Sequence, residues 1–167
     1  MFKNGWLKDK RGIEGLPMRL IIIVVVAAAV LAAILAMMGS IHPPGTLKIS
    51  YGTINADSNV KEGSSGNVIL VDAKDAGSSE ISNINFSIII KVTDSKGKPV
   101  SGATVIISGA GTAGANTTGG DGEANITIKG AKLEANQETA YMKVEVKASG
   151  YHKYIDEEGL ILQRVYT

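Results

Sequence analysis

The longest uncharged stretch of the chain constrains its fold more than any other feature. From Leu20 to Met38 the sequence reads LIIIVVVAAAVLAAILAMM, 19 consecutive apolar residues. An α-helix rises about 1.5 Å per residue, so this run predicts a helix of roughly 28 Å, close to the thickness of a hydrocarbon core. A secretory signal that is cleaved off normally has an apolar core of about 7–15 residues. The length therefore favours a retained membrane helix over a cleaved signal.

The charges on either side of this run predict its orientation. The first 19 residues carry a net charge of +3, the remaining 148 a net charge of −2, and the first basic residue after the run is Lys48. The positive-inside rule then places the N-terminus in the cytoplasm and the C-terminal body outside the cell. The slightly acidic body also lacks the basic face that nucleic-acid binding needs, so we expect no nucleic-acid partner.

The segment IHPPG, residues 41–45, ends the predicted helix. Two consecutive prolines cannot continue a helix, and Pro43 moves His42 out of the helical region. We expect Gly45 to act as a swivel. The sequence thus divides into a basic leader (1–12), a hydrophobic helix (13–40), a Pro/Gly joint (41–45) and a C-terminal domain (46–167).

A charged leader that ends in KDKRG, followed by a short linker and an uninterrupted apolar helix, resembles the class III signal of archaeal type IV pilin-like proteins. The resemblance implies that a prepilin-type peptidase cleaves on the cytoplasmic side after Gly12, which leaves Ile13 as the new N-terminus. The helix would then self-associate as the core of a cell-surface filament or pseudopilus, built by the pilus assembly machinery. In such a bundle, Glu14 and Arg19 are candidate inter-subunit charges.

An alternative stays open for the same segment. Without cleavage, the helix is a permanent single-pass anchor that presents the extracellular domain for binding or adhesion. Glu14 and Arg19 are five residues apart and do not share a helix face. In the anchor, Arg19 would reach the cytoplasmic interface while Glu14 stays in water.

The body after Pro44 reads as a series of short strands. Apolar and polar residues alternate between clusters of Gly, Ser, Asp and Pro, a pattern typical of strands and turns. Only residues 130–139 (GAKLEANQET) suggest a helical turn, and the glycine-rich GAGTAGANTTGGDG is predicted to be a breaker. The predicted strands are 46–51, 67–72, 84–93, 103–108, 123–129, 141–148 and 159–166. The expected fold is mainly β: one transmembrane helix, then an antiparallel Ig-like β-sandwich of about seven strands.

Residues 90–151 resemble a carboxypeptidase regulatory-like (transthyretin-like, Ig-type) domain. The shared features are the turn GKPVSGA, the pair Asp121-Gly122 before a strand, and the pair Gly150-Tyr151 after one. The resemblance implies a non-catalytic domain that presents or binds. Independently of it, Asp121-Gly122 supplies the positive φ of a tight hairpin.

Several motifs that suggest chemistry lack the partners that the chemistry needs. The chain has no cysteine, so thiol catalysis and thiolate metal sites are excluded. The stretch GAGTAG (109–114) has the spacing G-x-G-x-x-G, but a dinucleotide site needs a following helix and an acidic residue about 20 positions on. His42 and His152 are far apart in sequence, and DEEG (156–159) is interpreted as a solvated loop. We expect no enzyme activity, no cofactor and no metal.

Three Asn-x-Ser/Thr sequons begin at Asn85, Asn116 and Asn125. They are candidate N-glycosylation sites if the domain is exported. Because Asn116 lies in the glycine-rich stretch, it is predicted to be the most accessible. Asn85 and Asn125 fall in predicted strands and need outward-facing side chains.

Overall fold

The computed structural model describes residues 10–39 and 42–166, with side chains described from Pro17 onward. The chain forms two compact units, one ending at Pro43 and the other beginning at Pro44. Each is described separately.

The first unit contains the helix α1, Lys10–Gly39. It begins three residues before the predicted Ile13 and includes Pro17, whose missing N–H removes one hydrogen bond near the helix start. From Pro17 to Gly39 the mean hydropathy is 3.3, and every side chain of this segment is exposed. By length and composition, this segment can serve as a membrane anchor or a signal sequence.

The second unit is a β-sandwich of two sheets, which confirms the predicted Ig-like, mainly β fold. One sheet has the order β1-β3-β6, and the other has the order β2-β8-β7-β4-β5. All pairings are antiparallel except β2 with β8, which run parallel. The eight strands are β1 Leu47–Ala56, β2 Val68–Asp72, β3 Ile81–Asp94, β4 Thr104–Gly109, β5 Thr112–Thr117, β6 Glu123–Leu133, β7 Thr139–Lys147 and β8 Tyr154–Val165.

The core lies between the two sheets and follows from the period-2 pattern. In β3, alternate residues from Ile84 to Val92 are fully or almost fully buried, whereas the residues between them are partly exposed. Strands β4, β6 and β7 repeat this alternation. Each strand therefore turns one face inward, and burial of the branched side chains favours this register over a one-residue slip.

The glycine-rich stretch contains a strand that the sequence did not predict. Ala110 and Gly111 both have positive φ, 48° and 79°, and form a two-residue turn between the paired residues Gly109 and Thr112. Strand β5 follows this turn, so the G-x-G-x-x-G spacing opens a strand and not a helix. A Cβ at Gly114 would lie 2.5 Å from the carbonyl oxygen of Thr127, so glycine allows β5 to approach β6 closely.

Two further local predictions were wrong. Residues 130–139 form no helical turn: β6 continues to Leu133, and a turn follows in which the N–H of Gln137 donates to the carbonyl of Glu134. The segment DEEG is not a loop but lies within β8, where the register with β7 shifts. Gly159 is required there because a Cβ would lie 2.5 Å from Cγ2 of Val144.

The pair Asp121-Gly122 forms a turn, but this turn does not join neighbouring strands of one sheet. Gly122 has φ 76°, and its N–H donates to the carbonyl of Gly119 over 3.0 Å. The turn connects β5 of one sheet to β6 of the other. Glycine is needed because a Cβ would lie 2.6 Å from the carbonyl oxygen of Val92.

Candidate interaction and modification sites

The predicted cleavage position lies inside α1. The backbone of Gly12, Ile13 and Glu14 is helical, and their side chains lie outside the described residues. Arg19 is exposed at the start of the apolar run. The predicted roles of Glu14 and Arg19 as inter-subunit charges remain predictions.

The sandwich unit holds Gly45 rather than leaving it free to swivel. The N–H of Gly45 donates to the carbonyl of Gly150 over 2.9 Å, and the N–H of His152 donates to the carbonyl of Gly45 over 2.8 Å. The Tyr151 ring covers the same residue, so closely that a Cβ on Gly45 would lie 2.8 Å from it. The Gly150-Tyr151 pair therefore fixes the point at which the chain enters the sandwich.

The outer face of the five-stranded sheet carries both apolar and charged groups. Tyr141 on β7 and Ile155 on β8 are about half exposed, at 50% and 48%. On the same face of β7, one carboxylate oxygen of Glu145 accepts from Nζ of Lys147 at 2.8 Å and of Lys153 at 3.1 Å. Hydrogen bonds from these two ammonium groups, Lys147 first, lower the pKa of Glu145.

A buried cation joins two loops at one end of the sandwich. The Arg164 side chain is only 2% exposed, and its guanidinium donates to four backbone carbonyl oxygens at 2.6–2.9 Å. These oxygens belong to Gly77, Ser79, Glu134 and Gln137. Sequence reasoning missed this residue, because nothing in the local pattern distinguishes it from the outward-facing polar residues of a strand.

A second buried polar group lies on β1, in the three-stranded sheet. The Tyr51 hydroxyl is inaccessible and is the one buried side-chain polar atom in the described residues without a hydrogen-bond partner. Burial, together with Tyr154 and Asp156, raises the pKa of Tyr51. A neutral phenol at this position is not poised for acid–base chemistry near neutral pH.

A surface depression of about 340 Å³ is lined partly by acidic side chains. Asp72, Asp75 and Glu80 contribute to its wall, and Asp72 already accepts the backbone N–H of Lys74 at 2.9 Å. Within the described residues, no group of three or more His, Asp or Glu side chains is arranged to hold a metal ion. His42 and His152 are both exposed.

The three sequon asparagines differ in environment. Asn85 is half-buried on β3, whereas Asn116 on β5 and Asn125 on β6 are exposed. Asn116 lies on a strand and not in a loop, and its Nδ2 donates to the carbonyl oxygen of Asn125 at 2.7 Å. Asn116 and Asn125 are therefore both exposed but differ in their side-chain hydrogen bonds.

Residues 82–154 match the macroglobulin domain MG4. The match is similarity over less than half of the chain, from β3 to the start of β8, and it supports an Ig-like sandwich. No curated protein matches the chain significantly. The matched region contains the whole stretch 90–151 for which the sequence suggested a carboxypeptidase regulatory-like domain, so the two comparisons agree on the Ig-like fold and differ on the family.

Proposed function

We propose that the protein is a non-enzymatic, type IV pilin-like structural subunit of an archaeal surface filament or pseudopilus. One observation carries the proposal: α1 exposes all its described side chains, while the sandwich completes its own core without it. Such an apolar helix is stable only in lipid or against other helices. The helix of a pilin-like subunit occupies both environments. It lies in lipid in the membrane-bound precursor and packs against other helices in the filament.

The leader supports the same function. The sequence KDKRG precedes the apolar run with net positive charge, which favours a cytoplasmic leader and an extracellular sandwich. The partners would be the membrane, a prepilin-type peptidase, the pilus assembly machinery and further copies of the chain. The sandwich, whether carboxypeptidase regulatory-like or macroglobulin-like, would decorate the outside of the assembly.

N-terminal processing tests the proposal. The intact mass of the full chain from its native membrane should correspond to an N-terminus at Ile13. Replacement Gly12→Phe should block processing, because a bulky residue replaces the smallest one at the cleavage position. The matched control Gly5→Phe adds the same ring within the leader and should leave processing unchanged.

A permanently anchored surface protein is the second candidate. It is favoured by Arg19, an exposed cation immediately before the apolar run, where a side chain can extend to the cytoplasmic interface. In this case the mature chain would begin at Met1 or the next residue, and Gly12→Phe would change neither this N-terminus nor the surface display. With that result, the proposed function would be presentation of an Ig-like binding domain and not filament assembly.

A further inference from the structure

We propose that Asn125 is the acceptor of an N-linked glycan, and that Asn85 and Asn116 are not. The inference rests on the extracellular position of the sandwich in the proposed function, but not on filament assembly. It comes from the contacts of the three sequons, which are alike in sequence and different in geometry.

Asn125 presents the complete sequon to solvent. Its side chain is exposed on the outer face of β6, and Thr127, two residues later, is exposed on the same face. Ile126 between them is fully buried, which fixes both polar side chains outward. Within the described residues, the Asn125 amide makes no side-chain hydrogen bond, so its Nδ2 is free to react.

The sequon at Asn116 is held by hydrogen bonds at both ends. Its Nδ2 donates to the carbonyl of Asn125 at 2.7 Å, and its Oδ1 accepts the N–H of Thr117 at 2.8 Å. The hydroxyl of Thr118 is buried: it donates to the carbonyl of Val100 at 2.6 Å and accepts the N–H of Ala103 at 2.9 Å. A sugar on Nδ2 would have to fit beside the carbonyl of Asn125, to which this nitrogen already donates.

The sequon at Asn85 is also engaged. Asn85 is half-buried, and its Oδ1 accepts the backbone N–H of Gly130 at 2.8 Å, at an irregular point of the β3–β6 pairing. The Ser87 hydroxyl accepts from Nδ2 of Asn55 at 3.4 Å. The contact with Gly130, whose φ is 71°, holds the half-buried Asn85 side chain in place, so its Nδ2 has less room for a sugar than the exposed Asn125 has.

The surface next to Asn125 has room for a sugar. Ile89 lies directly opposite it on β3 and is half-buried. On the far side of Ile89, β1 contributes the exposed Gly52, where a Cβ would lie 3.2 Å from Cβ of Ile89. On the side of β1, the outer face therefore offers an apolar side chain next to a glycine, against which the first sugar ring can pack, and the Lys91–Glu123 ion pair lies next to it along the strands.

The modification is a balanced group transfer. The Nδ2 of Asn125 attacks C1 of an oligosaccharide carried on a polyisoprenoid phosphate or pyrophosphate. The new N–C1 bond forms as the C1–O bond to the lipid phosphate breaks. The lipid phosphate leaves with the bonding electrons, and the proton lost from Nδ2 neutralises it.

Peptide masses of the full chain from its native cells test the assignment. Trypsin alone leaves Asn116 and Asn125 in one peptide, but cleavage after Glu123 together with trypsin gives ANITIK (124–129), which contains Asn125 alone. We expect the glycan mass on this peptide. It should disappear in Asn125→Gln and in Thr127→Val, and persist in the controls Asn116→Gln and Asn85→Gln.

The opposite outcomes are equally specific. Protease added to intact cells first establishes whether the sandwich is outside. An accessible sandwich with an unmodified ANITIK peptide, or with a glycan on Asn85 or Asn116, overturns the assignment and leaves the proposed function intact. A sandwich that the protease cannot reach overturns both.

Discussion

Arg164 shows how a single residue can stabilise an end of the sandwich. Its buried guanidinium has four carbonyl oxygens as hydrogen-bond partners and forms no ion pair within the described part of the chain. A buried charge is stable only when hydrogen bonds replace its hydration. The fixed fork of the guanidinium reaches two loops at once, which a lysine cannot do.

Replacement Arg164→Met should therefore destabilise the fold. We expect the free energy of unfolding to fall by about 3 kcal/mol, because buried carbonyls lose their donors. Arg164→Lys keeps the charge but fewer hydrogen bonds, and should destabilise the protein as well. Urea unfolding of the detergent-solubilised full chain measures both effects, and an Arg164→Met variant as stable as the parent would contradict this account.

The carboxylate of Glu145 makes stability depend on pH. Its pKa in the folded protein is below the ordinary value of about 4.3. Its contribution is thus fully present above that ordinary value and is lost as the pH falls through the lowered folded value. The unfolding free energies of the parent and Glu145→Gln should differ at pH 7 and converge as the pH falls through the lowered folded pKa of Glu145.

A matched control for this titration is Glu157→Gln. Glu157 is exposed on β8 and forms no ion pair among the described residues. Because Glu157 has no such partner, Glu157→Gln should cost less stability at pH 7 than Glu145→Gln. Parallel pH profiles for Glu145→Gln and Glu157→Gln would show that the two lysines do not couple to Glu145.

At the scale of elements, the β4–β5 hairpin depends on the conformation of its glycines. Gly109 has φ 145°, and a Cβ there would lie 2.8 Å from the carbonyl oxygen of Tyr141 on β7. Gly111 also has positive φ, but its nearest potential Cβ contact is 3.9 Å away, at Lys132. Both positions therefore have positive φ, but only Gly111 has room for a side chain.

Replacement Gly109→Ala should reduce the free energy of unfolding by about 2 kcal/mol, because it adds a clash with the backbone of β7 to an unfavourable φ. Gly111→Asn should reduce it far less, since asparagine tolerates the left-handed region and meets open space. Thermal melting monitored by circular dichroism compares the two. Equal losses of stability in the two variants would mean that the positive φ, and not the space for a side chain, requires glycine at both positions.

The strands that could be predicted from the sequence are those in which apolar and polar residues alternate, because one face of the strand is buried and the other is exposed. The alternation in β3 and β4 is visible in the sequence because each strand has one buried and one exposed face. Strand β5 has no buried residue, so alternation is absent and its glycines indicate a loop. The parallel pairing of β2 with β8, and the contacts of Arg164 and Asn116, depend on segments distant in sequence and leave no local pattern.

At the scale of the whole molecule, the two units have different requirements. The core cluster of buried residues lies entirely within 47–162, so the sandwich needs no contribution from α1 for its own core. The helix, in contrast, has an exposed apolar surface that water does not stabilise. The chain thus combines a domain with its own hydrophobic core and a helix that needs lipid or other helices to cover its apolar surface.

A fragment comprising residues 44–167 should be a soluble, folded monomer, because it retains the whole described core and the hydrogen bonds at Gly45. The full chain should require detergent or lipid. Size-exclusion chromatography and cooperative urea unfolding check this expectation. A fragment that aggregates or unfolds without cooperativity would show that α1 contributes to folding of the sandwich.

The parallel neighbour of β2 affects how the protein is made. Strand β8 lies between β2 and β7, so these two strands remain apart until residues 154–165 have left the ribosome. A nascent chain that stops before Tyr154 lacks β8 and leaves the edges of β2 and β7 that β8 would cover unpaired, and such edges are prone to wrong pairing. The order of synthesis therefore keeps the larger sheet open during translation, which is compatible with threading an unfolded chain across a membrane.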